Sequence, residues 1–169
     1  MKKTTRPGAA SQNRGESVAD AVRSAVAAAA LLLTETMDDD NHSFALELDP
    51  VLRLDGERLI RSEPVPNRLR RVVSEPIVYS EGISPASRWP ECFRDAVRRM
   101  DPPGGLRRQD AAVDAVIFTF TDAIETLLGT IRFAARVHTR PEGYHACMWD
   151  DFVLIPYRYA AHLSLTVDD

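Results

Sequence analysis

The sequence predicts an α+β domain with three helices packed on a mainly antiparallel sheet of five or six strands. Three observations carry that expectation. Apolar residues recur at intervals of three and four in three separate segments, the spacing of one face of a helix. The C-terminal stretch from Thr130 to Val167 alternates apolar and polar residues, the period of a strand with one buried face. Between the short apolar runs at Val51–Leu54 and Leu59–Ile60 stands Asp55-Gly56, a hairpin signal because these residues accept the positive φ of a tight turn.

The first helix is expected over Ser17–Met37, with Ser17 as N-cap. Val18, Ala21, Val22, Ala25, Val26, Ala29, Leu32 and Leu33 form its apolar stripe, and the alanine run has high helix propensity. Asp38-Asp39-Asp40-Asn41-His42 reads as a solvated loop, since its spacing does not fit a calcium loop. Ser43–Asp49 alternates as a strand, and Val51–Arg61 reads as a hairpin turning at Asp55-Gly56. Arg61–Arg88 carries Pro64, Pro66, Pro76 and Pro85 and is expected to be irregular, with a short strand at Ile77–Tyr79. Trp89–Met100 is the second helix, with Pro90 in its first turn and Phe93, Ala96, Val97 and Met100 facing inward. Asp101-Pro102-Pro103-Gly104-Gly105 stops it. Asp110–Leu128 is the third helix, closed by Gly129.

Two strands should follow, Thr130–Thr139 and one starting at Tyr144, joined across Arg140-Pro141-Glu142-Gly143, and a third at Tyr159–Val167. The expected hairpin register sets His138 opposite His145, Arg136 opposite Cys147 and Ala134 opposite Trp149. Arg132, Arg136, His138, His145 and Cys147 then share a polar face, which His162 and Ser164 can join from the third strand.

At 169 residues the chain has the length of one domain with a tail. Residues 1–15 are expected to be a disordered basic tail, and residues 16–169 a single α+β domain. The net charge of −4 is unevenly spread. Residues 1–15 carry +4, residues 16–50 carry −7, residues 51–108 carry +4 and residues 109–169 carry −5. No single-sign field dictates nucleic-acid or membrane binding. Lysine stands only at positions 2 and 3 against nineteen arginines, the usage of a GC-rich bacterial or viral genome. Cys92 and Cys147 make no disulfide framework, and a reducing, cytoplasmic setting is expected. The apolar run Ala25–Leu33 falls short of the ~20 residues a membrane span needs.

The chain shows no phosphate loop, nucleophile motif or paired zinc-ligand motif, so no cofactor and no metal are expected. The leading expectation is a non-enzymatic protein-binding factor, such as an immunity, chaperone-like or inhibitory protein. Its partner would be another protein or a second copy of itself. Arg132, Arg136, His138, His145, Trp149 and His162 are its candidate binding residues, because arginine, aromatic and imidazole groups anchor interfaces. Nucleic acid is a lesser candidate, resting on the arginines around residues 94–108. The alternative is a metal-independent nuclease or phosphoesterase. There His138 and His162 would exchange protons with the substrate and Arg136 would hold its phosphate. His162-Leu163-Ser164-Leu165 resembles one half of the His-x-Ser/Thr-x signature of the two-histidine phosphoesterases, a family defined by two such motifs.

Overall fold

The computed structural model describes residues 9–37, 43–48, 51–100, 110–140 and 147–168. Its strands form one antiparallel sheet. In chain order the strands are β1 (Ser43–Leu48), β2 (Leu52–Arg53), β3 (Ile77–Ile83), β4 (Phe133–Thr139), β5 (Met148–Ile155) and β6 (Tyr159–Asp168). The spatial order is β1-β6-β5-β4-β3, with the short β2 also paired to β6. The helices are α1 (Ala9–Met37), α2 (Gly56–Ser62), α3 (Val65–Arg70), α4 (Trp89–Arg99) and α5 (Asp110–Leu128). The α+β class and the antiparallel sheet are as the periodicities predict.

One face of the sheet carries the three long helices. Val22, Val26, Ala29 and Leu33 of α1 are buried at helical spacing. So are Val113, Ile117, Phe120, Ile124 and Leu128 of α5, which packs along α1. Both stripes close over Phe152, Leu154, Ala161, Leu163, Leu165 and Val167 in one core. α4 adds Trp89, Phe93, Ala96 and Val97, all fully buried. Phe93 sits at the centre, with its ring 5.1 Å from Phe120, 5.7 Å from Phe152 and 6.1 Å from Trp89. Trp89 satisfies its indole by donating to Glu125 Oε1 at 2.8 Å, which ties α4 to α5. Gly129, at φ +87°, ends α5 in the left-handed region, with its N–H on the Glu125 carbonyl at 2.8 Å.

The opposite face is partly covered by the second half of the expected hairpin, which is helical, and by the segment expected to be irregular. Leu59 of α2, Leu69 of α3, and Val72 and Val73 after it pack on Ala135, Val137, Val153, Ile155 and Ala160. The Arg68 guanidinium lies 5.4 Å from the centre of the Phe133 ring. Pro66 stands in the first turn of α3, where its missing N–H costs nothing.

Several sequence expectations are corrected. α1 starts at Ala9 rather than after Ser17, so residues 9–15 are helical and Ser17 is no N-cap. Asp55-Gly56 is not a hairpin turn. Asp55 caps α2 instead, its carboxylate accepting the Arg58 N–H at 2.9 Å. The β3 strand runs four residues past Tyr79 to Ile83. The loop at Asp38–His42 and the helix stop at Asp101–Gly105 lie outside the described residues.

Gly56 serves close packing. A Cβ there would lie 2.1 Å from the Pro156 carbonyl oxygen, while the Gly56 N–H donates to Tyr157 at 2.9 Å. Gly56→Ala should therefore destabilise the fold by about 1–3 kcal/mol, although alanine is the better helix former by ~1 kcal/mol. Urea denaturation of the two proteins measures the difference. A variant as stable as the parent would show that the Pro156 turn moves aside freely.

Candidate interaction surface

The alternation of each strand assigns the polar residues to faces. In the observed register Phe133 pairs with Ile155, Arg136 with Phe152 and Val137 with Asp151. Arg136 thus meets a residue five positions beyond the expected Cys147, and an odd slip exchanges the two faces. Arg136 and Cys147 are therefore not opposed as expected. Cys147 is exposed before β5 begins, and His145 lies outside the described residues.

His138 and Arg136 lie on the helical face. His162 pairs with Val153, which pairs with Ala135, so His162 lies on the opposite face. Trp149 pairs with Thr166 on that same opposite face, where it is half-buried. Arg132 is exposed just before β4. The arrangement in which one phosphoester bridges His138 and His162 has no geometry here, because the sheet separates them.

Two neighbouring carboxylates that the sequence reading passed over organise this end of the sheet. Asp150 and Asp151 are 2% and 1% exposed and, as successive strand residues, point to opposite faces. On the helical face Asp150 accepts from Arg136 Nε and from an Arg99 terminal nitrogen at 3.2 Å. On the other face Asp151 accepts from Thr139 Oγ1 at 2.7 Å and from Ser164 Oγ at 2.6 Å. His162 Nε2 stands 3.5 Å from the same carboxylate. This network joins β4, β5 and β6.

Burial alone would raise the Asp151 pKa, but the hydrogen bonds from His162, Ser164 and Thr139 outweigh it and hold the carboxyl below its ordinary range. A carboxyl whose folded pKa is lowered stabilises the fold fully above its unfolded pKa of about 3.9. That contribution is lost as pH falls through the lowered value. Asp151→Asn should flatten the fall in stability on acidification below about pH 4. It should also cost about 1–3 kcal/mol at neutral pH, since the amide nitrogen cannot accept. Urea midpoints for parent and variant across the acid range check both. Parallel pH profiles would remove Asp151 from the acid transition.

Beside Arg136 the helical face opens into a cleft of about 310 Å³ between the end of β3 and α4, lined by Glu81, Arg88, Cys92, Asp95, Arg99 and Arg136 among others. Its charges are mixed. Burial pushes the Cys92 thiol pKa up, with Asp95, Glu91 and Glu81 adding to the rise and Arg88 opposing it. The thiol is therefore held protonated, the inert form.

The cleft borders β3, which among the described residues lies at the end of the sheet. Five consecutive residues, Val78 to Gly82, are exposed. Val78 and Tyr79 are 65% and 52% exposed. The Tyr79 ring stacks on His138 at 4.1 Å and 13°, which fixes its position on the helical face. A register irregularity at Val78 precedes a regular run from Tyr79 to Ile83 against β4. Sequence reasoning placed a strand at Ile77–Tyr79 but had no signal for an edge, because an edge is defined by what lies beyond it.

No family model matches the sequence, and no curated protein matches it. The fold is similar to the crystal structure of citrus MAF1, with a TM-score of 0.51 at 8% sequence identity over 85% of this chain and 98% of that one. At that identity the likeness is one of fold. Among the described residues no helix is long and apolar enough to cross a membrane.

Proposed function

We propose that the chain is a non-enzymatic protein-binding factor that engages its partner through the β3 edge. The observation that supports this is the run of exposed residues from Val78 to Gly82 at the rim of a sheet whose inner strands β5 and β6 are largely buried. An edge strand offers unpaired backbone N–H and C=O groups, and natural proteins usually blunt such edges with charges, proline or cover. Here Glu81 is the one charged residue of the strand, while Val78 and Tyr79 offer apolar area. Strand addition at such an edge draws affinity from main-chain hydrogen bonds and specificity from side chains on alternate positions. Tyr79 is the expected anchor, held in place by His138 and rimmed by Arg136. An inhibitory, chaperone-like or immunity role would each work in this way, by occupying a surface of another protein.

A pull-down from the source cells with the parent chain and with Tyr79→Glu tests the reading. A partner retained by the parent and lost by the variant is the expected result. Equal retention by both, or no partner and no self-association, would sink it.

A further inference from the structure

We propose that the cleft between β3 and α4 binds a free α-amino acid, its carboxylate on Arg136 and its ammonium on Glu81 and Asp95. At about 310 Å³ the cleft has the volume of a small-molecule site. It needs no partner on the β3 edge.

Asp150 sets up the carboxylate end. Its buried side chain accepts from Arg136 Nε, which holds the guanidinium by one nitrogen and leaves Nη1 and Nη2. Among the described residues these two nitrogens donate to no other group. Arg136 lines the cleft, and the fork of a guanidinium grips a carboxylate through two parallel hydrogen bonds. With its Nε already fixed, the side chain has little freedom left to lose on binding.

The ammonium end lies beside it. Glu81 stands opposite Arg136 across β3 and β4, which sets their Cβ atoms ~5 Å apart on one face. Arg136 turns to Asp150 instead, and Glu81 is left exposed. Asp95 comes from the other wall, where Cys92, Asp95 and Arg99 recur at intervals of three and four along α4. Among the described residues neither Glu81 nor Asp95 takes part in a hydrogen bond or ion pair. Both lie near enough to the Cys92 thiol to raise its pKa, which places them around the same group.

Charge disfavours simpler ligands. Arg88 is answered by Glu91, and Arg99 and Arg136 share Asp150. A bare anion such as phosphate would meet the unanswered Glu81 and Asp95. A bare cation would meet three guanidiniums. An α-amino acid carries both charges on one carbon, as the neighbours Glu81 and Arg136 require. Gly82, Ile83 and Cys92 leave an uncharged stretch of wall for its side chain.

Ligand-observed NMR of the full chain with each common L-amino acid finds the binder, and calorimetry measures it. At least one should saturate with a Kd on the order of 1 mM or tighter. Its amine, lacking the carboxyl group, and its acid, lacking the amino group, should each bind at least about tenfold more weakly. Glu81→Gln and Asp95→Asn should each weaken the amino acid by about tenfold and leave the acid analogue unchanged or tighter. Both side chains are exposed, and thermal melts that match the parent confirm that the variants fold. No saturation by any amino acid up to about 10 mM overturns the site. So does an analogue with one charge that binds as tightly as the amino acid, or a Kd that neither variant moves.

Discussion

Asp150→Ala should lower the stability of the fold by about 3–5 kcal/mol, because removing one partner from a buried ion pair leaves the other charge without compensation. The Asp150 side chain is 3% exposed and receives Arg136, whose own side chain is only 26% exposed. Arg136 lines the cleft beside α4, where water reaches only part of its side chain. Arg99 contributes less, since its side chain is 49% exposed and water can replace the contact. Arg99→Gln should therefore cost under about 1 kcal/mol, while Arg136→Gln approaches the cost of Asp150→Ala. Chemical denaturation of the three variants measures this ordering. Equal small effects would mean that water reaches Asp150 in the folded protein.

Phe93→Ala is expected to cost a similar ~3–5 kcal/mol, by a different route. Phe93 is fully buried and its ring meets those of Trp89, Phe120 and Phe152. Its removal opens a cavity bounded by α4, α5 and the sheet, and the neighbouring rings are too constrained to collapse into it. Phe93→Leu should recover more than half of the loss, because it restores most of the volume. A Phe93→Ala variant within ~1 kcal/mol of the parent would show that α4 is loosely docked.

Both substitutions act on parts of the fold that the sequence reveals unequally. The stripes of α4 and α5 are visible because each helix buries one face and leaves the other wet, so the apolar period survives in the sequence. The boundaries Trp89 and Leu128 follow from Pro90 and Gly129. β5 behaves differently. It is covered on both sides over Phe152–Ile155, so its residues run apolar without alternation and carry no register signal. The expected pairing of Arg136 with Cys147 rests on a short connection across Arg140–Gly143, whereas β4 ends at Thr139 and β5 begins only at Met148. Asp55-Gly56 was ambiguous because aspartate caps helices as readily as it starts turns, and the deciding fact is the Pro156 carbonyl, a hundred residues away.

The candidate site was legible only in fragments. Arg136 and His138 do lie together on one face, and His138 supports the proposed anchor. The sequence lets His162 join them because period two assigns relative faces within a strand but not between strands of unknown register. It belongs to the buried Asp151 network instead. Tyr79 carried no special pattern in the sequence. Its importance comes from standing at the rim of the sheet beside exposed Val78, a property of topology rather than of local composition.

The binding role of the β3 edge is tested most directly by crosslinking inside the source cells. A photo-crosslinking phenylalanine analogue would be placed either at Tyr79 or at Phe118, which is 72% exposed on α5 and distant in the chain. The predicted result is a discrete adduct from position 79, to a partner or to a second copy, and none from position 118. Adducts from position 118 with none from position 79 would contradict it and move the interaction to the helical layer.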